Sequence, residues 1–298
     1  MSFQPQNNEQ ALLYKILTGG LYITDMSYLF YSNARMDNYE TILGLCKDVT
    51  KASYCFYSSD IETFDSANFP DMSKCDSFGS MFASCPYLVS ADLSHLDCSS
   101  LAMSNGSGFY DMFRGCWLLE EVIGFAYNAS EYPNTGRTFY DCPCLKRLTF
   151  AENVGALTTM DLDISGCSFE REGMVELFNS LPTVEQKCTL TIANNPCITG
   201  TLIVTVPRGE YDGYIEDADT LITVLNENVF DDTANCIIND ASDETTSYTK
   251  ENLIAQADNL LYPVELEWRD HSYEVAVDKL TDDDRLIAKD KGWSLIEK

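Results

Sequence analysis

Residue types that could do chemistry are thinly spread along this chain of 298 residues. The tightest arrangement is Asp161-x-Asp163-x-Ser165-Gly166 with Glu172 at the twelfth place, the oxygen-ligand spacing of a calcium loop, followed by a helical run. Two features oppose that chemistry. Gly155-Ala156-Leu157-Thr158-Thr159 makes a poor entering helix, and Ser168 occupies the eighth place, where an apolar residue pairs two such loops. The letters Leu162-Asp163-Ile164-Ser165 equally suit a short strand, which is the preferred reading. Asp161, Asp163, Ser165 and Glu172 thus stand as a weak metal candidate, and no metal or cofactor is expected. Cys142-Pro143-Cys144 with Cys116 suggests zinc, but no second CxxC or HxxxH completes a tetrahedral set. The two histidines, His95 and His271, are far apart, and nothing local sets either beside a cysteine as a nucleophile pair needs. No glycine-rich phosphate loop is present, and no catalytic residue is assigned.

The charge balance narrows the partners. Forty-seven acidic residues against 19 basic ones give a formal net charge of −28. Such a surface repels phosphate backbones and anionic lipid heads, so neither nucleic acid nor membrane insertion is expected. No stretch approaches the roughly 18 apolar residues of a bilayer span. Residues 1–9 carry neither a basic nor an apolar signal region, so synthesis in a reducing cytoplasm is expected. The 12 cysteines then read as buried, reduced, small apolar fillers. An occasional oxidised pair between neighbouring repeats stays open.

What must position these groups is a repeat. Phenylalanine returns at Phe30, Phe56, Phe82, Phe113 and Phe139, at steps of 26, 26, 31 and 26. Three places after each stands Asn33, Ser59, Cys85, Cys116 or Cys142, and in the last three copies a leucine follows at Leu88, Leu119 and Leu145. A fixed period in the twenties means one unit stacked on itself. Each copy predicts a Phe-bearing turn packed inward, then a short strand such as Ala91/Leu93 or Leu148/Phe150, with neighbouring strands pairing in parallel. These Phe, Cys and Leu residues form the expected repeat core.

The pattern Met-Phe-x-x-Cys-x-x-Leu, with Asp92-Leu93-Ser94-His95-Leu96-Asp97 as companion, resembles the BspA-like leucine-rich repeat. The resemblance covers about residues 20–198 and is strongest over 78–168. It implies an α/β, leucine-rich-repeat-like solenoid with short parallel strands. It also implies the settings of that family: bacterial and protozoan surface proteins and bacteriophage virion proteins.

The remaining segments complete the expected order. Residues 1–20 read as an N-terminal capping helix, with residues 9–18 amphipathic and Gly19-Gly20 as the stop. The solenoid spans 21–198, with a helix over 174–181, ended before Pro182, and a strand over 188–192 near its end. Residues 280–298 read as a closing helix and strand, capped by Thr281 and stopped by Gly292. Both segments resemble closing units of phage proteins with such repeats, and 199–279 reads as an inserted, small, mixed α/β domain. That block predicts a strand over 201–206, helices near 216–226 and 250–261, a hairpin of 264–268 against 273–277, and a mobile acidic loop over 240–247. Tyrosines beside the inward Phe, among them Tyr28, Tyr31, Tyr54, Tyr57, Tyr110 and Tyr140, mostly cap the coils but could also face sugars or proteins. The expected function is a non-enzymatic bacteriophage virion structural protein of the tail, baseplate or fibre. Its localisation is then the virion, its partners other virion proteins or further copies of itself, and its target a host-surface glycan or protein. A leucine-rich-repeat surface adhesin of a bacterium or protozoan is the alternative.

Overall fold

The computed structural model describes residues 22–33, 42–101, 108–127, 129, 134–152, 154, 160–184, 188–206, 208–211, 213–227, 234–239, 245–269 and 271–298. The expected helix at 9–18 and most of the acidic stretch 240–247 lie outside these residues. The described chain divides into two units, Met1–Gly200 with Val277–Lys298, and Thr201–Ala276.

The first unit mixes helices with short parallel strands stacked over about five turns. One sheet runs β3 (Thr63–Asp65), β4 (Ser90–Asp92), β5 (Glu121–Phe125) and β6 (Arg147–Phe150), all parallel. Its inward column follows from register: Phe64 pairs with Ala91, Ala91 with Val122, and Val122 with Leu148, all buried. On another side β1 (Ile23–Asp25) pairs with β2 (Cys46–Lys51), also in parallel. Further along, β7 (Asp161–Asp163), β8 (Cys188–Thr191) and β15 (Trp293–Ile296) form a third parallel sheet.

The Phe corners between strands are built from successive turns. In every copy the residues two before and two after the Phe take positive φ: Tyr28 and Ser32, Tyr54 and Ser58, Ser80 and Ser84, Asp111 and Gly115, Arg137 and Asp141. All but Gly115 are ordinary L-residues, for which this conformation costs on the order of 1 kcal/mol each. The alternation turns N–H and C=O groups along the stacking direction, and hydrogen bonds offset the strain. Phe30 N–H donates to Cys55 O at 2.7 Å, Phe56 to Met81 at 2.8 Å, Phe82 to Met112 at 2.9 Å and Phe113 to Thr138 at 3.0 Å. The rings follow in near-parallel register, with centroids 5.0, 5.4, 5.3 and 5.6 Å apart from Phe30 to Phe139. The longer step of 31 residues is absorbed without changing that spacing.

Helix α1 (Arg171–Ser180) covers the otherwise open edge of β6, where the Ser180 hydroxyl accepts from Phe150 N–H at 3.0 Å. It begins three residues earlier than the sequence suggested. A closer approach than most helices allow is made at Gly173, where a Cβ would lie 2.4 Å from Lys146 O. The unit ends with α4 (Asp282–Asp290) and β15, whose Trp293 is buried and donates Nε1–H to Pro182 O at 2.9 Å. A capping box opens α4: Thr281 Oγ1 accepts from Asp284 N–H, and Asp284 accepts from Thr281 N–H. Gly292, at φ 91°, sits where a Cβ would meet Val184 O at 2.3 Å.

The second unit has its own core of Ile215, Leu221, Leu225, Cys236, Ile238, Leu253, Val264 and Leu266. Its sheet runs β10 (Gly209–Glu210), β13 (Glu265–Trp268), β11 (Asn235–Asn239) and β12 (Thr245–Thr249), antiparallel throughout. Helices α2 (Ala218–Glu227) and α3 (Lys250–Gln256) belong to it, α3 capped by Thr249 and followed by a 3-10 turn at Ala257–Asn259. Two expectations fail here. The hairpin of 264–268 against 273–277 does not form: β13 lies between β10 and β11, while β14 (His271–Ala276) pairs with β9 (Thr201–Val206). Cys236 and Ile238 on β11 offer a buried apolar face in register with Leu266 and Trp268, which a short hairpin would forgo. The expected acidic loop also ends sooner, because Thr245–Ser247 belong to β12.

Candidate interaction surface

The thiols at the Phe corners do more than fill space. Cys85 Sγ donates to Phe56 O, Cys116 Sγ to Phe82 O and Cys142 Sγ to Phe113 O, each at 3.0 Å. Each thiol thereby ties its own coil to the carbonyl of the preceding rung. Ser59, at the same place in its copy, is fully buried and lies 3.7 Å from Cys85 Sγ. In the last three copies the column therefore holds a thiol that donates, and in the second copy a buried serine takes the thiol's place. All 12 cysteines are free and all but Cys144 are buried. Burial pushes the Cys75 and Cys142 thiols up to about 12, and Cys55, Cys98, Cys116 and Cys167 well above their usual value. None of these is a poised nucleophile.

The other sequence candidates are placed as follows. Asp161 and Asp163 are the ends of strand β7 and Glu172 lies in the first turn of α1. Asp163 Oδ1 accepts from Ser165 N–H at 2.8 Å in a tight turn, and Asp161 Oδ1 accepts from the Thr189 hydroxyl. Among the described residues no three His, Cys, Asp or Glu side chains converge as a metal set would. His95 lies beside Tyr127, ring centroids 6.3 Å apart, with its backbone N–H donated to Ser66 Oγ. His271 begins β14. A cleft of about 840 Å³ lies at the end of α1, lined by Phe150, Glu152, Glu176, Ser180, Leu181 and Lys291 among others. Lys291 Nζ donates to Asn179 O at 2.5 Å and Leu181 O at 2.7 Å, and partial burial draws the ammonium below its usual value. That lysine caps the helix C-terminus, where carbonyls lack partners.

Outside the Phe column, the same corners carry rings. Tyr28 stacks on Tyr54 at 4.8 Å and Tyr31 on Tyr57 at 5.1 Å, nearly parallel in both pairs. Burial and the neighbouring phenols raise the Tyr28 hydroxyl above its usual value. The third copy has Ser80 and Ala83 in these two columns, and the fourth has Asp111 and Arg114. Asp111 is held between Arg114 at 3.3 Å and Arg137 at 3.1 Å, and Arg137 in turn lies over the rings of Tyr110 and Tyr140. On the third to fifth copies a second group stands out: Trp117 and Tyr140 are each 60% exposed, Tyr87 53%, Leu118 47% and Val89 40%. Trp117 Nε1–H donates to Asp141 Oδ2 at 3.2 Å across adjacent coils. Sequence reasoning named Tyr140 but missed Trp117 with Asp141. The signal available was their place in the repeat, four and two residues after a rung Phe, where a coil faces outward.

Basic side chains in this region are paired. Lys146 meets Glu120 at 2.7 Å, and Arg147 meets Glu121 and Glu176. Arg147 is raised above its ordinary value by these carboxylates, and Glu176 is lowered by Arg147. No helix among the described residues is long and apolar enough to cross a membrane. Comparison with protein families, with curated proteins and with solved structures finds no match for this chain.

Proposed function

We propose that this chain is a non-enzymatic structural protein of a bacteriophage virion, belonging to its tail, baseplate or fibre. In this reading the stacking is that of a BspA-like leucine-rich repeat, and the solenoid holds an outward surface for assembly with other virion proteins or for host attachment. The observation that carries it is the corner itself. Backbone bonds, thiol bonds and the Phe ladder fix each coil to the next, while Tyr, Trp and Leu at the outward places stay open to contact. The net charge of −28 keeps such a protein dissolved at high local concentration and suits a crowded particle.

The test is the mass of the full chain in solution, by sedimentation equilibrium, together with the genes beside its own. An oligomer flanked by tail or capsid genes supports the reading. A monomer among housekeeping genes overturns it.

A further inference from the structure

We infer that the outward patch of Tyr87, Val89, Trp117, Leu118 and Tyr140 is a binding site for a neutral carbohydrate. The inference rests on the display reading above and names its ligand class.

Three observations point to this occupant. The first is size. Three rings a little over half exposed, at 150–250 Å² for a whole aromatic side chain, with smaller shares from Val89 and Leu118, offer at most roughly 500 Å² of contact. A stable protein interface needs about 800 Å² on each partner, so the patch is small for a protein and ample for a few sugar rings.

The second is the interleaving of ring faces with fixed polar groups. A sugar ring presents an apolar C–H face edged by hydroxyls, and needs a flat apolar surface with donors and acceptors at its rim. Here the indole is oriented by Asp141, Tyr140 lies under the Arg137 guanidinium at 5.3 Å, and Glu120, paired with Lys146, follows Val89 on the next coil through a backbone bond. Asp141 and Glu120 can accept from hydroxyls, and Arg137 and Lys146 can donate. The supporting backbone is fixed as well, since Gly115 N–H donates to Tyr140 O at 2.9 Å and Glu120 N–H to Val89 O at 2.8 Å. Little conformational freedom is then lost on binding.

The third is charge. The basic side chains at the rim are neutralised by Asp111, Glu120 and Glu121, within a chain of net charge −28. Sialylated, sulfated or uronate polymers would be repelled, which leaves neutral glycans.

The experiment titrates the full chain with dextran, mannan and soluble β-glucan, with heparin and polysialic acid as anionic controls. Binding is read by calorimetry and by tryptophan fluorescence. At least one neutral polysaccharide should bind and neither anionic one should. Trp117→Ala should weaken that binding roughly thirtyfold, the cost of a central aromatic anchor. Trp117→Phe should keep part of it, and Tyr57→Ala, elsewhere on the corners, should leave it unchanged. Matching thermal midpoints confirm that the variants fold, as expected for exposed positions. No binding to any neutral polysaccharide, binding confined to the anionic controls, or equal binding by Trp117→Ala would each overturn the inference. A chain that binds none of them, yet sediments as an oligomer and lies among tail genes, sinks the ligand and leaves the display reading standing.

Discussion

If the corner thiols are donors rather than fillers, substitutions at Cys116 must rank in a particular order. Cys116 is wholly buried, and its Sγ donates to Phe82 O, which also accepts from Cys85 N–H at 3.3 Å. Cys116→Ala removes one sulfur. The void, on the order of 20 Å³, costs about 0.5 kcal/mol, and the lost bond and lost burial about 1 kcal/mol more. Cys116→Ser keeps a donor of nearly the same reach and should stay within about 1 kcal/mol of the parent. Cys116→Val removes the donor and adds branched bulk to a packed corner, costing about 2–3 kcal/mol. The predicted order of stability is Ser, then Ala, then Val. Urea unfolding followed by tryptophan fluorescence measures it. A Trp268→Phe background confines the signal to Trp117 and Trp293 of the solenoid unit, because the two units need not unfold together. A pure filler would put Ala above Ser, since a buried hydroxyl without need of a partner costs more than a methyl group. If Ser proves less stable than Ala, the donor reasoning is wrong.

Other expectations follow from single positions. Gly173→Ala, which in an exposed helix would gain up to about 1 kcal/mol, should instead lose about 1–3 kcal/mol because the new Cβ meets Lys146 O at 2.4 Å; an unchanged or higher urea midpoint would refute that. Thiol titration of the native chain at pH 8 should count about one group, Cys144, and all 12 only after denaturation; several reactive thiols in the native state would contradict the buried column. Acid should act through carboxylates that folding holds low: Asp284 by Arg171 and the Thr281 cap, Glu297 by Arg285, and Glu176 by Arg147. Their stabilisation is present above the ordinary carboxylate range and is lost as pH falls below about 4, whereas relief of net negative charge stabilises the chain between neutrality and about pH 5. Stability should therefore peak on the acid side of neutrality, and Asp284→Asn should flatten the limb below the peak; a midpoint that keeps rising to pH 3 would exclude this balance.

The solenoid was legible because its signal is redundant. Five copies place Phe at one column, and the column survives a step of 31 residues among steps of 26. The strand at Asp161–Asp163 and the capped helix after Thr281 were readable for local reasons, in alternation and capping chemistry. The paired positive-φ residues were not, since they fall on Tyr, Ser, Asp and Arg as well as Gly, and are imposed by contact with the next coil. In Thr201–Ala276 each strand occurs once. Asn235-Cys236-Ile237-Ile238-Asn239 is too short an alternation to stand out, and without it Glu265–Trp268 had no partner but its sequence neighbour. The outward patch escaped notice because Trp117 and Asp141 meet over 24 residues of chain, and only the coil register brings them together.

The contrast between inner and outer columns says where the distinctive part of the solenoid lies. An inner residue faces copies of itself above and below, so the same side chain recurs: Phe on Phe in five coils, and a thiol under a Phe carbonyl in three. An outer residue has no such duty, and here the outer columns change from coil to coil. The fourth and fifth places after the Phe run Pro/Tyr, Trp/Leu and Pro/Cys in the last three copies. A solenoid needing only solubility could fill its outward places with any charged residue at less risk of aggregation. This chain, with 47 acidic residues to draw on, instead leaves Trp117, Tyr87 and Leu118 on the third and fourth coils, with their few nearby cations already paired. Exposed rings amid neutralised charge are costly to display and useful to a contact, so these coils are where a ligand should be sought first.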